Sequence, residues 1–226
     1  MSEIIPAILP KSFEELSEKL SSVRGLVETV QIDICDGAFV PTRTWPYQKA
    51  GELDKNFKEI VTEKTGLPYW EDVNFEIDLM VREPEAVIPG WIKAGASRII
   101  FHIESTTDAQ GIHDQFHDKV EIGVAIGLDT SLTVIQPYAP EVGVIQCMGI
   151  ARIGYQGQPF DDRVLPRISE LRTLYPKAII SVDGGVNLES ARKLLLAGAN
   201  RLVVGSALWK DAEVRENLSK FKKLNK

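Results

Sequence analysis

Cysteine is scarce in this sequence and forms no paired framework. Its 226 residues include only Cys35 and Cys147, with no Cys-x-x-Cys pair. That excludes a disulfide-stapled scaffold and a thiolate metal site, and both residues read as reduced cysteines in apolar runs. Long hydrophobic runs are missing too. None approaches the roughly 18 residues of a membrane span, and the opening MSEIIPAILP lacks the basic and apolar regions of a secretory signal. The expectation is a soluble, cytoplasmic protein with no membrane partner. Excess positive charge is absent: the formal net charge is −6, which argues against nucleic acid as a partner. Phosphate binding stays open, because backbone N–H groups bind anions without net positive charge. No Gly-x-Gly-x-x-Gly turn follows the first apolar run, so an open doubly wound sheet ranks second and no organic cofactor is expected.

What is present is ordinary globular composition, 44% hydrophobic and 26% charged, enough for a sizeable core. Short β-rich runs alternate with amphipathic stretches from end to end. The strand candidates are 3–9, 27–34, 73–80, 97–104, 120–126, 142–148, 178–183 and 200–207. Helical patterns between them include 12–23, 84–95, 161–176 and 187–199. Ser12 and Asn187 read as N-caps, and Gly95 and Gly198 as stop signals. Eight strands, each followed by a crossover, predict a TIM (β/α)₈ barrel formed by one domain over 1–226. The irregular stretch 41–72 predicts an extended loop, a helix over about 51–64 and a second loop.

In such a barrel, function belongs to the C-terminal ends of the strands. Period-2 alternation in Gln31-Ile32-Asp33-Ile34-Cys35 turns the isoleucines toward the helices and Asp33 inward. The same logic turns Asp78, Met80 and Asp183 inward. A single strand aspartate is usually a turn or cap residue, but three in register at one barrel end define a site. They cannot all stay ionised without a cation or a proton, and Arg43 and Arg152 lie in loops that could reach them. Two facing carboxylates, one ionised and one protonated, also suit proton transfer across a planar intermediate. A second group binds anions: Gly154-Tyr155-Gln156-Gly157, Gly184-Gly185 and Gly205-Ser206 follow the last three strands, where barrels grip phosphate. His113 and His117 have helical i, i+4 spacing but read as solvated surface residues.

These segments resemble the ribulose-phosphate 3-epimerase family, which includes pentose- and hexulose-phosphate 3-epimerases. The likeness is carried by Pro6-Ala7-Ile8-Leu9, QIDICDGAFVPTRTW (31–45), DLMVREPE (78–85), AGASRIIFHIE (94–104), GYQGQPF (154–160) and VDGGVNLESARKLLLAGANRLVVGSALW (182–209). The resemblance implies an isomerase of carbohydrate metabolism, in the pentose phosphate pathway. It would interconvert D-ribulose 5-phosphate and D-xylulose 5-phosphate through an enediolate. It places the acid/base pair at Asp33 and Asp183, and the phosphate grip at Gly154, Tyr155, Gln156, Gly157, Gly184, Gly185, Gly205 and Ser206. Met80 and Met148 would line the planar intermediate.

The family's metal is held by two histidines and two aspartates, but here Gln31 and Asp78 stand where the histidines would be. Ala7 and Cys35 replace a serine and a methionine, and the turn carrying Arg152 is one residue longer. The implied metal set is therefore Gln31, Asp33, Asp78 and Asp183, an oxygen-only group favouring Mn²⁺ or Mg²⁺ over zinc or iron. A small sugar phosphate is the expected partner, and a homo-oligomer is compatible with the reading. Two alternatives are a non-catalytic sugar-phosphate-binding barrel that has lost its metal and a phosphate-barrel lyase. A lyase usually needs a strand-end lysine, and no strand candidate ends on one.

Overall fold

The computed structural model describes residues 2–49, 52–210 and 213–225. Its strands are β1 (Glu3–Ile8), β2 (Thr29–Cys35), β3 (Tyr47–Lys49), β4 (Glu52–Leu53), β5 (Asn74–Met80), β6 (Ala96–His102), β7 (Glu121–Ile126), β8 (Val144–Met148), β9 (Ile179–Asp183) and β10 (Arg201–Val204). All but β3 and β4 pair in parallel and close into a barrel in the order β1-β10-β9-β8-β7-β6-β5-β2. The eight barrel strands are the eight apolar runs of the sequence. A strand buried on both faces must be nearly continuous in Val, Ile and Leu, and that makes such runs visible.

The helices are α1 (Phe13–Val23), α2 (Lys55–Val61), α3 (Ile88–Lys93), α4 (Ala109–Phe116), α5 (Val164–Leu174), α6 (Leu188–Ala197), α7 (Ser206–Trp209) and α8 (Val214–Lys222). Ser12 Oγ accepts from Glu15 N at 3.2 Å, which starts α1. Asn187 accepts from both Glu189 N and Ser190 N, and Ser190 Oγ answers by accepting from Asn187 N. That reciprocal cap fixes the start of α6 just beyond β9. Gly198, at φ 111°, ends it.

The stretch 41–72 differs from its expectation. Where the sequence predicts a helix over about 51–64, β3 and β4 form a small antiparallel hairpin and α2 begins only at Lys55; Gly51 lies outside the described residues. Asp54 sets that boundary. Its carboxylate accepts from Asn56 N at 2.8 Å, from the Trp45 indole at 3.0 Å and from Gln48 Nε2 at 2.6 Å. Trp45 packs edge-on to Phe57 and Trp91, so the long crossover adds an aromatic layer over α2 and α3. The expected helix 84–95 is likewise split into a 3₁₀ turn, Pro84–Ala86, and α3.

The barrel has two chemically distinct ends. At the N-terminal end, the fully buried Glu76 meets Arg98 at 2.5 Å and Arg201 at 2.9 Å. Glu121 and Glu3 complete the network at 2.8 and 2.9 Å from those arginines. Ile32, Ile34, Ile77 and Leu79 face outward into the helix-packed core, leaving their neighbours in sequence to fill the interior. Among the described residues, no helix is long and apolar enough to cross a membrane.

Candidate functional site

Strand register assembles the site at the C-terminal end. Asp33 lies directly across from Asp78, and Met148 across from Asp183, so four inward positions on β2, β5, β8 and β9 converge. One oxygen from each of Asp33, Asp78 and Asp183 lies within 4.8 Å of the others. The three carboxylates predicted from alternation are therefore one cluster.

Crowding of like charge away from water shifts the titration of Asp33 and Asp183. Burial raises the Asp33 carboxyl well above the ordinary range, and the charges of Asp183 and Asp78 raise it further. Burial, then Asp78, push Asp183 up to about 7, against the opposing hydrogen bonds from Gln31 and from the Gly184 N–H. Both carboxyls are thus held protonated more readily than a free aspartate. Burial alone would lower the pKa of His102, yet the carboxylates of Asp78, Glu104 and Asp183 together more than offset it and the net direction is up. His102 Nε2 lies 3.2 Å from Asp78 Oδ1, at ion-pair distance but without hydrogen-bond alignment.

Among the described residues, His102 is the basic side chain that reaches the cluster, in place of the arginines that the sequence suggests. Arg43 donates from Nε to the backbone oxygen of Asp36, and Arg152 is exposed on its loop. Neither forms an ion pair with the cluster among the described residues. Loop position alone does not settle this, because an arginine's reach depends on the direction in which the loop folds.

Gln31 is fully buried, and its amide nitrogen rather than its oxygen faces the acids. Nε2 donates to Asp33 Oδ1 at 2.7 Å and to Asp183 Oδ2 at 2.9 Å. Gln146, on β8, does not stand out in the sequence, although alternation puts it on the same face as Met148. Its Nε2 donates to Asp78 Oδ2 at 3.3 Å, and its Oε1 accepts from the Ser181 hydroxyl at 3.2 Å. Thr44 escapes a sequence reading as well. Its hydroxyl donates to the Asp33 backbone oxygen at 3.0 Å and accepts from Cys35 N at 2.9 Å, pinning the end of β2. A lone threonine in a loop gives no signal for such a role.

Above the carboxylates opens a pocket. Asp33, Asp183, Met80 and Met148 form its floor, and its wall is made by Gly154, Tyr155, Gln156, Gly157, Gly184, Gly185, Gly205 and Ser206. Both predicted groups thus border one cavity, while Asp78 and Gln31 lie beneath it. Gly185 has φ 67°, and a Cβ there would lie 2.6 Å from Phe160 Cα, so the turn requires glycine for its own backbone. At Gly205 a Cβ would first meet the end of the Gln156 side chain at 3.2 Å, which can move. His113 and His117 stack on each other away from this site, with ring centroids 4.7 Å apart.

As a donor set, the three aspartates suit a hard divalent cation: their oxygens converge, and the buried Asp78 Oδ1 has no hydrogen-bond partner among the described residues. Gln31 would contribute only with its amide turned over.

Comparison with known proteins bears on the same residues. The sequence model described as the Ribulose-phosphate 3 epimerase family matches residues 3–209. The ribulose-phosphate 3-epimerase of Bacillus subtilis (strain 168) is 31% identical over 229 residues, covering 98% of this chain and 99% of its own length. The chloroplastic ribulose-5-phosphate-3-epimerase of Arabidopsis thaliana is 32% identical over 231 residues, covering 98% and 77%. Among solved structures, a 3-hexulose-6-phosphate synthase from Salmonella typhimurium superposes with a TM-score of 0.70 at 14% identity, covering 99% of this chain and 98% of that one. KGPDC from Streptococcus mutans, in a ligand complex, gives 0.69 at 14% identity, covering 99% and 96%. These two likenesses show the fold.

Proposed function

The chain belongs to the ribulose-phosphate 3-epimerase family, and from that premise we propose that it interconverts D-ribulose 5-phosphate and D-xylulose 5-phosphate. The observation that carries the proposal is the pairing of Asp33 with Asp183 on the floor of a glycine-walled pocket. In this reading the sugar's phosphate sits among the loops after β8, β9 and β10, held by backbone N–H groups and Ser206. That anchoring places C3 over the carboxylates. One of them removes the C3 proton, and the electron pair moves toward the C2 carbonyl to give a planar 2,3-enediolate. The other, protonated, returns a proton to the opposite face of C3, and the pair's roles reverse for the back reaction. Their raised pKa values suit this work, since a group near its own pKa exchanges protons with little driving force lost. Met80 and Met148 present soft apolar surface to the planar intermediate and exclude water.

Asp33, Asp78 and Asp183 are the residues that would hold a divalent cation, and their oxygen-only character favours Mn²⁺ or Mg²⁺ over zinc or iron. When bound, the cation supplies charge neutralisation for the oxygens of the enediolate.

The lyase alternative is disfavoured because no lysine lines the pocket among the described residues. A purely binding role leaves the cost of burying three carboxylates under the pocket without a purpose. The test is proton NMR of ribulose 5-phosphate in D₂O with the enzyme, without and with added Mn²⁺ or Zn²⁺. We expect deuterium at C3 together with the xylulose epimer. Epimer-free solutions under every metal condition would defeat the proposal.

The phosphate grip has its own test. Gly205→Val should fold, because its nearest obstacle is a movable side chain, but should raise KM for the sugar phosphate about tenfold or more. Unchanged competition by inorganic phosphate would show that the anion binds elsewhere. Gly185 is unsuited to this test, since the Phe160 backbone clash would be confounded with lost binding.

A further inference from the structure

We infer that Gln31 is a positioning residue for the proton transfer, a single amide that sets the spacing of the acid and the base. The inference rests on the reading of Asp33 and Asp183 just given. Gln31 and Asp33 lie two residues apart on β2 and therefore point to the same side of the sheet, into the barrel. Asp183 arrives on β9, which is separated from β2 in the barrel by β1 and β10. No backbone ladder ties β2 to β9, so the relative placement of the two carboxylates depends on side chains. The Gln31 amide makes that link: one N–H goes to each carboxylate, at 2.7 and 2.9 Å.

Three observations separate this role from simple packing. The two hydrogen bonds of the amide nitrogen go only to the acid and the base, and to no core group or backbone atom. Its oxygen is buried without a partner among the described residues, so the amide is oriented by its nitrogen alone. Of its cross-strand neighbours, Ala7 on β1 has no polar side chain, and Glu76 on β5 makes no hydrogen bond to it among the described residues. The planar –NH₂ group carries two hydrogens in a fixed angle. It therefore dictates where one oxygen of each carboxylate must lie.

The arrangement also sets Gln31 against any cation in the cluster. Amide hydrogens and a metal ion compete for the same carboxylate oxygens, and an –NH₂ group facing them has no lone pair to offer. A nitrogen lone pair at position 31 should reverse that relation.

The experiment compares wild type with Gln31→Met, close in shape but without donors, and Gln31→Asn, an amide one methylene too short to span both acids. With ribulose 5-phosphate we expect kcat to fall about 10- to 100-fold in both variants. KM should stay within about threefold, because the phosphate loops are untouched. Calorimetric titration of Gln31→His with Zn²⁺ should show binding at least about tenfold tighter than wild type. A kcat within about twofold of wild type in both Met and Asn variants overturns the inference, as does a matched loss in kcat and KM with a lowered melting temperature. If Gln31→Met does not fold, Gln31→Asn is judged by the same criteria. Zinc binding unchanged in Gln31→His overturns the competition with cations. Asp33→Asn and Asp183→Asn serve as references. Should they abolish turnover while the Gln31 variants do not, only the role of Gln31 falls. Should they keep turnover, the two-carboxylate reading falls with it.

Discussion

Asp183→Asn and Asp33→Asn are each expected to lower kcat by about 10²- to 10⁴-fold, the usual worth of a positioned acid or base. Asparagine keeps the shape of the side chain and can still hydrogen-bond, but it can neither take nor give the C3 proton at useful pH. Deuterium exchange makes the two variants informative separately. A variant that keeps its proton-abstracting carboxylate should still wash the C3 proton of one epimer into D₂O while failing to form the other epimer. The two variants should therefore show opposite preferences, one exchanging the ribulose substrate and the other the xylulose substrate. Competition by inorganic phosphate should persist in both, because the glycine loops stand clear of the substituted atoms. Near-wild-type turnover in either variant would remove that residue from the mechanism.

Glu76→Ala carries the largest expected effect on stability, a loss of about 3–5 kcal/mol measured by urea denaturation. The carboxylate is fully buried between Arg98 and Arg201. Removing it leaves two guanidinium groups enclosed at the barrel's N-terminal end, with only Glu121 and Glu3 remaining. Breaking one partner of a buried network costs far more than the network itself contributes, since the surviving charges cannot regain water. Glu76→Gln should lose less, because it keeps the volume and an acceptor oxygen. KM should be unchanged in whatever fraction stays folded. A loss below about 1 kcal/mol for Glu76→Ala would mean that the arginines find water in the variant and that the network is dispensable.

The barrel is legible because its strands are short apolar runs with caps and glycine stops between them, and Asn187 and Gly198 behave as their residue types demand. The inward aspartates are legible because alternation leaves a strand residue only two sides to face. Less can be read where tertiary packing decides. The β3–β4 hairpin escapes notice because a strand of two or three residues carries no periodic signal, and α2 starts at Lys55 because its N-cap, Asp54, is held by Trp45 and Gln48. Loop position points to an arginine as the cation beside Asp78, whereas His102 ends a strand whose direction is fixed by the sheet. In the sequence Gln31 reads as a ligand through its oxygen. Which end of an amide faces its neighbours is decided only by the folded surroundings, and here the two acceptors select the nitrogen.

The strands that form the pocket wall, β8, β9 and β10, and the loops after them are consecutive in the chain. Asp33 and Asp78 come instead from β2 and β5, in the first half. The phosphate handle can therefore be inherited as one uninterrupted segment, while the chemistry below it is rewritten by substitutions elsewhere in the gene. Asp183 is the exception, since it belongs to the handle's own segment. A lineage that changes its reaction while keeping this segment would meet that residue first, and either reuse it or lose it.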